Sequence, residues 1–156
     1  MKKAKRKRSP VPKRLASGTR VMVFGVFDLL HPGHISFLRQ AKKLPARRSL
    51  GEGGGNFLVV SVARDVNVKK VKGYKSQQSE EVRMNNLKRL QFVDRVVLGG
   101  QQNPWPHIRK ETPDLIALGY DQKPYVDLKE LKKIAKVVRL KAFKPKIFKS
   151  SKLKQS

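Results

Sequence analysis

A strand that hands over to a helix through a glycine turn and two histidines constrains this chain more than any other feature. Arg20-Val-Met-Val-Phe24 is an apolar, β-branched run, as expected of a buried strand. Gly25-Val-Phe-Asp-Leu-Leu-His31-Pro-Gly-His34 follows, and a helical pattern leads out of it, with Ile35, Leu38 and Ala41 on one side and Arg39, Lys42 and Lys43 on the other. In open α/β sheets ligands bind at such a junction, outside the carboxyl ends of the strands. The first N–H groups of a helix have no partner within it and attract phosphate. His31 and His34 are three residues apart, so one helical turn can aim both to the same side.

The rest of the chain repeats this alternation. Strands are predicted at Arg20–Phe24, Phe57–Ala63, Asp94–Leu98, Asp114–Leu118 and Lys136–Leu140. Phe57-Leu-Val-Val-Ser-Val-Ala63 is apolar almost throughout, which fits a parallel strand covered on both faces. Helices are predicted at Gly33–Lys43, from Ser79 onward with Met84 and Leu87 inward, at Trp105–Lys110, and at Asp127–Ile134 with Leu128, Leu131 and Ile134 inward. Ser79 is suited to cap its helix, and Glu80 and Glu81 favour the positive end. Arg64–Gln78 reads as a polar loop with a short helical turn, and the glycine-rich stretch from Pro45 to Gly55 as a flexible loop. Alternating strands and helices imply right-handed crossovers and a parallel sheet. The expected fold is α/β: a Rossmann-like parallel sheet of about five strands with helices on both faces.

The length of 156 residues suits one domain with tails. Residues 1–18 hold eight lysines and arginines and no acid, and are expected to form a disordered basic arm. Residues 19–141 form the expected domain, and 142–156 a basic segment that completes the site. The formal net charge of +26, from 37 Lys+Arg against 11 Asp+Glu, draws in phosphates, nucleotides and nucleic acid. The absence of cysteine excludes disulfides and thiolate metal sites. No apolar run approaches the roughly 20 residues that span a bilayer, and no apolar signal core follows the basic N-terminus. The expectation is a cytoplasmic protein with no membrane partner.

The segment beginning at Gly25 resembles the G-x-F-D-x-x-H-x-G-H signature of the cytidylyltransferase-like nucleotidyltransferases, with six fixed positions within ten. The resemblance runs from about Val21 to Lys152. It takes in Ala63-Arg-Asp-x-Asn67, Lys72-Gly, Arg83, Val93-Asp94 and Pro113-Asp-Leu-Ile-Ala-Leu-Gly-Tyr-Asp-Gln122. Within the family, Leu118-Gly-Tyr-Asp-Gln122 is most similar to the archaeal-type FAD synthetases, which adenylylate FMN.

The resemblance implies that His31 and His34 contact the triphosphate and stabilise the transition state, with Lys72 reaching the phosphates. It implies nucleotide contacts from Gly25, Val26, Phe27, Asp28, Gly33 and Arg83, and from Gly119, Tyr120 and Asp121 after the fourth strand. Ser150 and Ser151 match a terminal hydroxyl pair, although lysine replaces a common arginine and a glycine is missing around Lys144–Lys152. No metal-ligating residue is implied, because Mg²⁺ arrives with the triphosphate. The implied partners are ATP or CTP, a phosphate-bearing acceptor such as FMN, and a second copy in a homodimer. The basic tails imply a weak RNA contact. His107 lies outside the signature and is expected on the surface.

Three functions follow. The first is transfer of AMP from ATP to FMN, giving FAD and pyrophosphate. The second is the same chemistry with CTP and an alcohol phosphate such as glycerol 3-phosphate. The third is nucleic-acid binding on a retired enzyme scaffold, which the charge and the altered terminal motif favour and the intact signature opposes.

Overall fold

The computed structural model describes residues 19–44, 56–120, 122 and 126–141. The predicted basic arm, the 45–55 loop, Asp121, Ser150 and Ser151 lie outside them. Five strands, β1 (Arg20–Gly25), β2 (Phe57–Val62), β3 (Arg95–Leu98), β4 (Leu115–Leu118) and β5 (Lys136–Arg139), form one parallel sheet in the order β3-β2-β1-β4-β5. The order reverses between β1 and β4. The carboxyl ends of those two strands therefore border the crevice in which open α/β sheets take ligands.

Both faces of the sheet are apolar because the strands carry hydrophobic residues at both parities. Val21, Val23, Leu58, Val60 and Val62 pack on one face with Leu38 and Ala41 of α1 (Pro32–Lys42) and Leu87 of α3 (Glu80–Lys88). Met22, Phe24, Val59, Ile116 and Leu118 pack on the other with Ile108 of α4 (Trp105–Glu111) and Leu131 of α5 (Leu128–Ile134). Leu38, Leu87, Ile108 and Leu131 are fully buried, each stabilising the fold by about 1.5–3 kcal/mol relative to exposure. The α/β architecture with helices on both faces is the one expected from the sequence.

Two expectations about local structure change. Arg64–Gln78 is not mainly loop: Asp65–Lys72 forms helix α2, which ends where Gly73 takes a left-handed φ of 81°. The Asp65 N–H donates to Glu80 Oε1 at 2.7 Å and the Glu80 N–H to Asp65 Oδ2 at 3.2 Å, so the starts of α2 and α3 fix each other. Asp94 and Asp114 precede their strands rather than open them. Asp94 Oδ2 accepts from the Leu58 N–H and Asp114 Oδ2 from the Arg20 N–H, satisfying donors at the amino edge of the sheet.

Candidate active site

A cleft of about 810 Å³ opens along the carboxyl edge of the sheet. The turn after β1 forms its centre. A Cβ on Gly25 would sit 2.7 Å from the Phe27 ring, so glycine lets that ring fold back beneath the turn. Phe27 is 4% exposed and meets the His34 ring edge-on, with centroids 5.5 Å apart. Phe27 and Leu29 take left-handed φ angles of 53° and 59°. Such backbone costs a non-glycine residue about 1–3 kcal/mol and persists only where its surroundings over-determine it. Here they do: Asp28 accepts from the N–H groups of Gln77 at 2.8 Å and Gln78 at 2.9 Å, and the Leu29 N–H donates to Gln78 Oε1 at 3.1 Å. Asp28 thus binds the turn to the segment before α3.

His31 is the N-cap of α1, with Pro32 in the first turn and no acid there. His31 Nδ1 accepts from the Gly33 N–H at 3.0 Å, so the proton of the neutral ring is on Nε2. That Nε2 is buried and has no hydrogen-bond partner among the described residues. An unmet buried donor costs about 1–3 kcal/mol, and this one belongs to a residue that lines the cleft beside the first turn of a helix, where anions are favoured. Burial holds the His31 pKa below its ordinary value. The His34 ring stacks on it at 3.9 Å.

The predicted residues are brought together unevenly. Gly25, Val26, Phe27, Asp28, Gly33, Gly119 and Tyr120 all line the cleft with the two histidines. So does Lys72, which ends α2 instead of lying in a loop. Gln122, not among the site residues that the resemblance implies, also lines the cleft and bridges the switch point. Its Oε1 accepts from the Gly119 N–H, and its Nε2 donates to the Phe24 carbonyl, each at 3.0 Å.

Arg83 does not reach the cleft. It is fully buried below it, donating to the carbonyls of Gln78, Val26 and Ala63 and pairing with Asp65. There it ties the ends of β1 and β2 to α3. Burial alone would raise the Asp65 pKa. The bonds from Arg83, the Glu80 N–H and Ser76, with the charge of Arg83, outweigh it and hold the carboxyl below its ordinary value.

His107 is a second correction. It is half-buried, not on the surface. Its Nδ1 lies 2.7 Å from the Pro104 carbonyl and its Nε2 2.9 Å from Ser61 Oγ. Ser61, 2% exposed on β2, lines the cleft. The Pro104–His107–Ile108–Glu111 spacing was the available signal, since three- and four-residue steps share one helix face.

Among the described residues, no group of three His, Asp or Glu is placed to hold a metal ion, and Asp28 is engaged by backbone N–H groups. No described helix is long and apolar enough to cross a membrane.

A parallel sheet with a histidine-capped helix at its switch point defines a protein built to bind phosphate. The chain belongs to the cytidylyltransferase-like family, whose pattern matches residues 22–155. It is 43% identical over 131 residues to the FAD synthase of Aciduliprofundum boonei, covering 80% of this chain and 79% of the relative. It is 47% identical over 108 residues to the FAD synthase of Korarchaeum cryptofilum, covering 69% and 68%. A solved structure, the lipopolysaccharide core biosynthesis protein of Thermoplasma volcanium, superposes with a TM-score of 0.66 at 38% identity, covering 81% of this chain and 98% of that one.

Proposed function

We propose that the protein transfers AMP from ATP to FMN, giving FAD and pyrophosphate. The observation that carries this reading is the buried, unmet Nε2–H of His31 beside the first turn of α1, in a chain whose relatives at 43% and 47% identity are FAD synthases. A phosphate oxygen of FMN attacks the α-phosphorus of ATP, the bond to the β-phosphate oxygen breaks, and pyrophosphate leaves. His31 donates from Nε2 to a phosphate oxygen as charge develops there, and the His34 ring holds that donor in place by stacking. Lys72 supplies a mobile positive charge at the cleft wall.

The divalent metal is substrate here: it enters with the triphosphate, as Mg²⁺ in our reading. The basic segment 142–156 completes the site. In support, the family match extends to residue 155. Lys141, where the described chain stops, exchanges backbone bonds with the side chain of Gln40 at the cleft. Residues 1–18 are a separate basic arm with a weak affinity for RNA, two copies pair, and the enzyme works in the cytoplasm. Light scattering tests the pairing, and salt-dependent RNA binding tests the arm.

The decisive assay offers ATP with FMN, and CTP with glycerol 3-phosphate, and follows pyrophosphate and flavin products. FAD with pyrophosphate from the first pair is expected. Release from the second pair alone overturns the proposal. RNA binding with no release from either pair points to a retired scaffold.

A further inference from the structure

The cleft continues past the turn after β1 to the carboxyl ends of β2 and β3, where it is lined by Ser61, whose hydroxyl pairs with His107 behind it in a contact the reaction steps above do not use. The Pro104 carbonyl can only accept, so the His107 nitrogen facing it, Nδ1, carries the proton. Nε2 of the neutral ring is then an acceptor, and the Ser61 hydroxyl must donate to it. Burial, the largest influence on His107, keeps the ring below its ordinary pKa, against the Pro104 bond and the charge of Glu111, with Arg64 acting in the same direction as burial. With its proton committed, Ser61 Oγ offers the cleft a lone pair and no donor.

Gly99 leaves the space beside the pair unfilled. A Cβ on Gly99 would lie 3.6 Å from Ser61 Oγ and 3.9 Å from His107 Nε2, over the pair. The neighbouring carbonyls are already engaged: Arg64 Nε donates to Gly99 O at 2.7 Å, and Asn67 Nδ2 to Gly100 O at 2.9 Å. Val71 and Tyr74, which also line the cleft, are 75% and 52% exposed, apolar surface that a flat ring would cover.

We infer that this end of the cleft reads the ring of the acceptor, with Ser61, set by His107, accepting a hydrogen bond from a ring N–H. The inference rests on the proposed FMN reading. The oxidised isoalloxazine ring carries a single N–H, on its imide nitrogen N3, flanked by two carbonyls. Ser61 is the specificity-determining residue and His107 a positioning residue behind it.

The test compares FMN with 3-methyl-FMN, at saturating ATP, on the wild type and on Ser61→Ala and His107→Phe. The wild type should prefer FMN by about tenfold in kcat/KM, the worth of one good hydrogen bond. Ser61→Ala should raise the KM for FMN by about five- to tenfold, leave the KM for ATP unchanged, and treat both flavins alike. His107→Phe should weaken the same discrimination, because the freed Ser61 hydroxyl can then donate to the cleft as well as accept. A wild type that makes FAD and accepts both flavins equally overturns this inference alone, whether or not the variants fold. Equal changes in the KM values of FMN and ATP in Ser61→Ala also overturn it. A wild type that makes no FAD from ATP and FMN overturns the function and this inference together.

Discussion

The imidazoles of His31 and His34 lie face to face, 3.9 Å between centroids and 28° from parallel, and His31 has divided its two nitrogens between separate tasks. His31 Nδ1 caps the helix through the Gly33 N–H, while Nε2 is left buried without a partner among the described residues. The first task serves stability and the second, in the proposed reaction, phosphate binding, so a substitution can separate them.

His31→Asn keeps an acceptor where Nδ1 stands and removes the Nε2 donor. Asparagine is among the best N-caps, so the unfolding free energy should stay within about 0.5 kcal/mol of the wild type. Turnover should fall by about 10²–10³, as when one donor to a developing charge is removed. His31→Ala should lose the same activity and also about 1 kcal/mol of stability. Urea denaturation and steady-state kinetics on the two variants check both parts, and an active His31→Asn enzyme contradicts the assignment.

Burial lowers the pKa of His31 and is the largest influence lowering that of His107, while the unfolded imidazoles titrate near 6.5. Below that value the unfolded chain binds more protons than the folded one, so stability rises with pH. The contribution is full above pH 6.5 and is lost as pH falls through the lowered folded values. Asp65 acts lower on the scale: its depressed pKa contributes fully above 3.8 and is lost only as pH falls below that. Denaturation midpoints between about pH 7.5 and 5 should therefore decline with acid, and the decline should flatten in the double variant His31→Asn/His107→Phe. A wild-type midpoint that stays level across this range would contradict the burial of both rings.

The sheet was legible because burial on both faces leaves strands apolar at both parities, as Val21 and Val23 against Met22 and Phe24 make plain. The place of the histidine pair at the cleft was legible because a glycine, a proline and both imidazoles fall between a strand run and a helical run. Helix α2 was hidden because Val68 is its one buried residue among lysines, so no apolar period marks it. The burial of Arg83 has no local signal, because its type suits a phosphate or a row of carbonyls equally and its place follows from the packing of α3 against β2 and β3. Ser61 left a trace, a single hydroxyl inside an apolar strand, but its partner lies 46 residues away, and local spacing cannot join them.

Arg83→Lys separates positioning from nucleotide contact. One ammonium cannot serve the carbonyls of Val26, Ala63 and Gln78 and the Asp65 carboxylate together. Stranding part of this set should cost about 2–4 kcal/mol of stability. The site loosens through the Val26 carbonyl, so kcat should fall along with the melting temperature. An unchanged melting temperature with a raised KM for ATP would instead place Arg83 on the nucleotide.

Gly25→Ala tests the packing beneath the turn. The added methyl would meet the Phe27 ring at 2.7 Å and 2.8 Å, closer than carbon atoms approach without repulsion. The ring cannot yield freely, because it is 4% exposed and packed against His34 and Phe37. Relief has to come from a shift of Phe27, which moves the ring that His34 leans on, and His34 is stacked on His31. Overpacking of this kind costs about 1–3 kcal/mol, and a misplacement of about 1 Å at the reacting groups lowers turnover by about 10². Pairing the change with Phe27→Leu should recover stability, since the smaller side chain makes room for the methyl. It should not recover full turnover, because the edge-on support of His34 is then gone. Thermal melts and kcat for the single and double variants read the two effects separately; a Gly25→Ala protein as stable and as active as the wild type would mean the ring is not what the glycine accommodates.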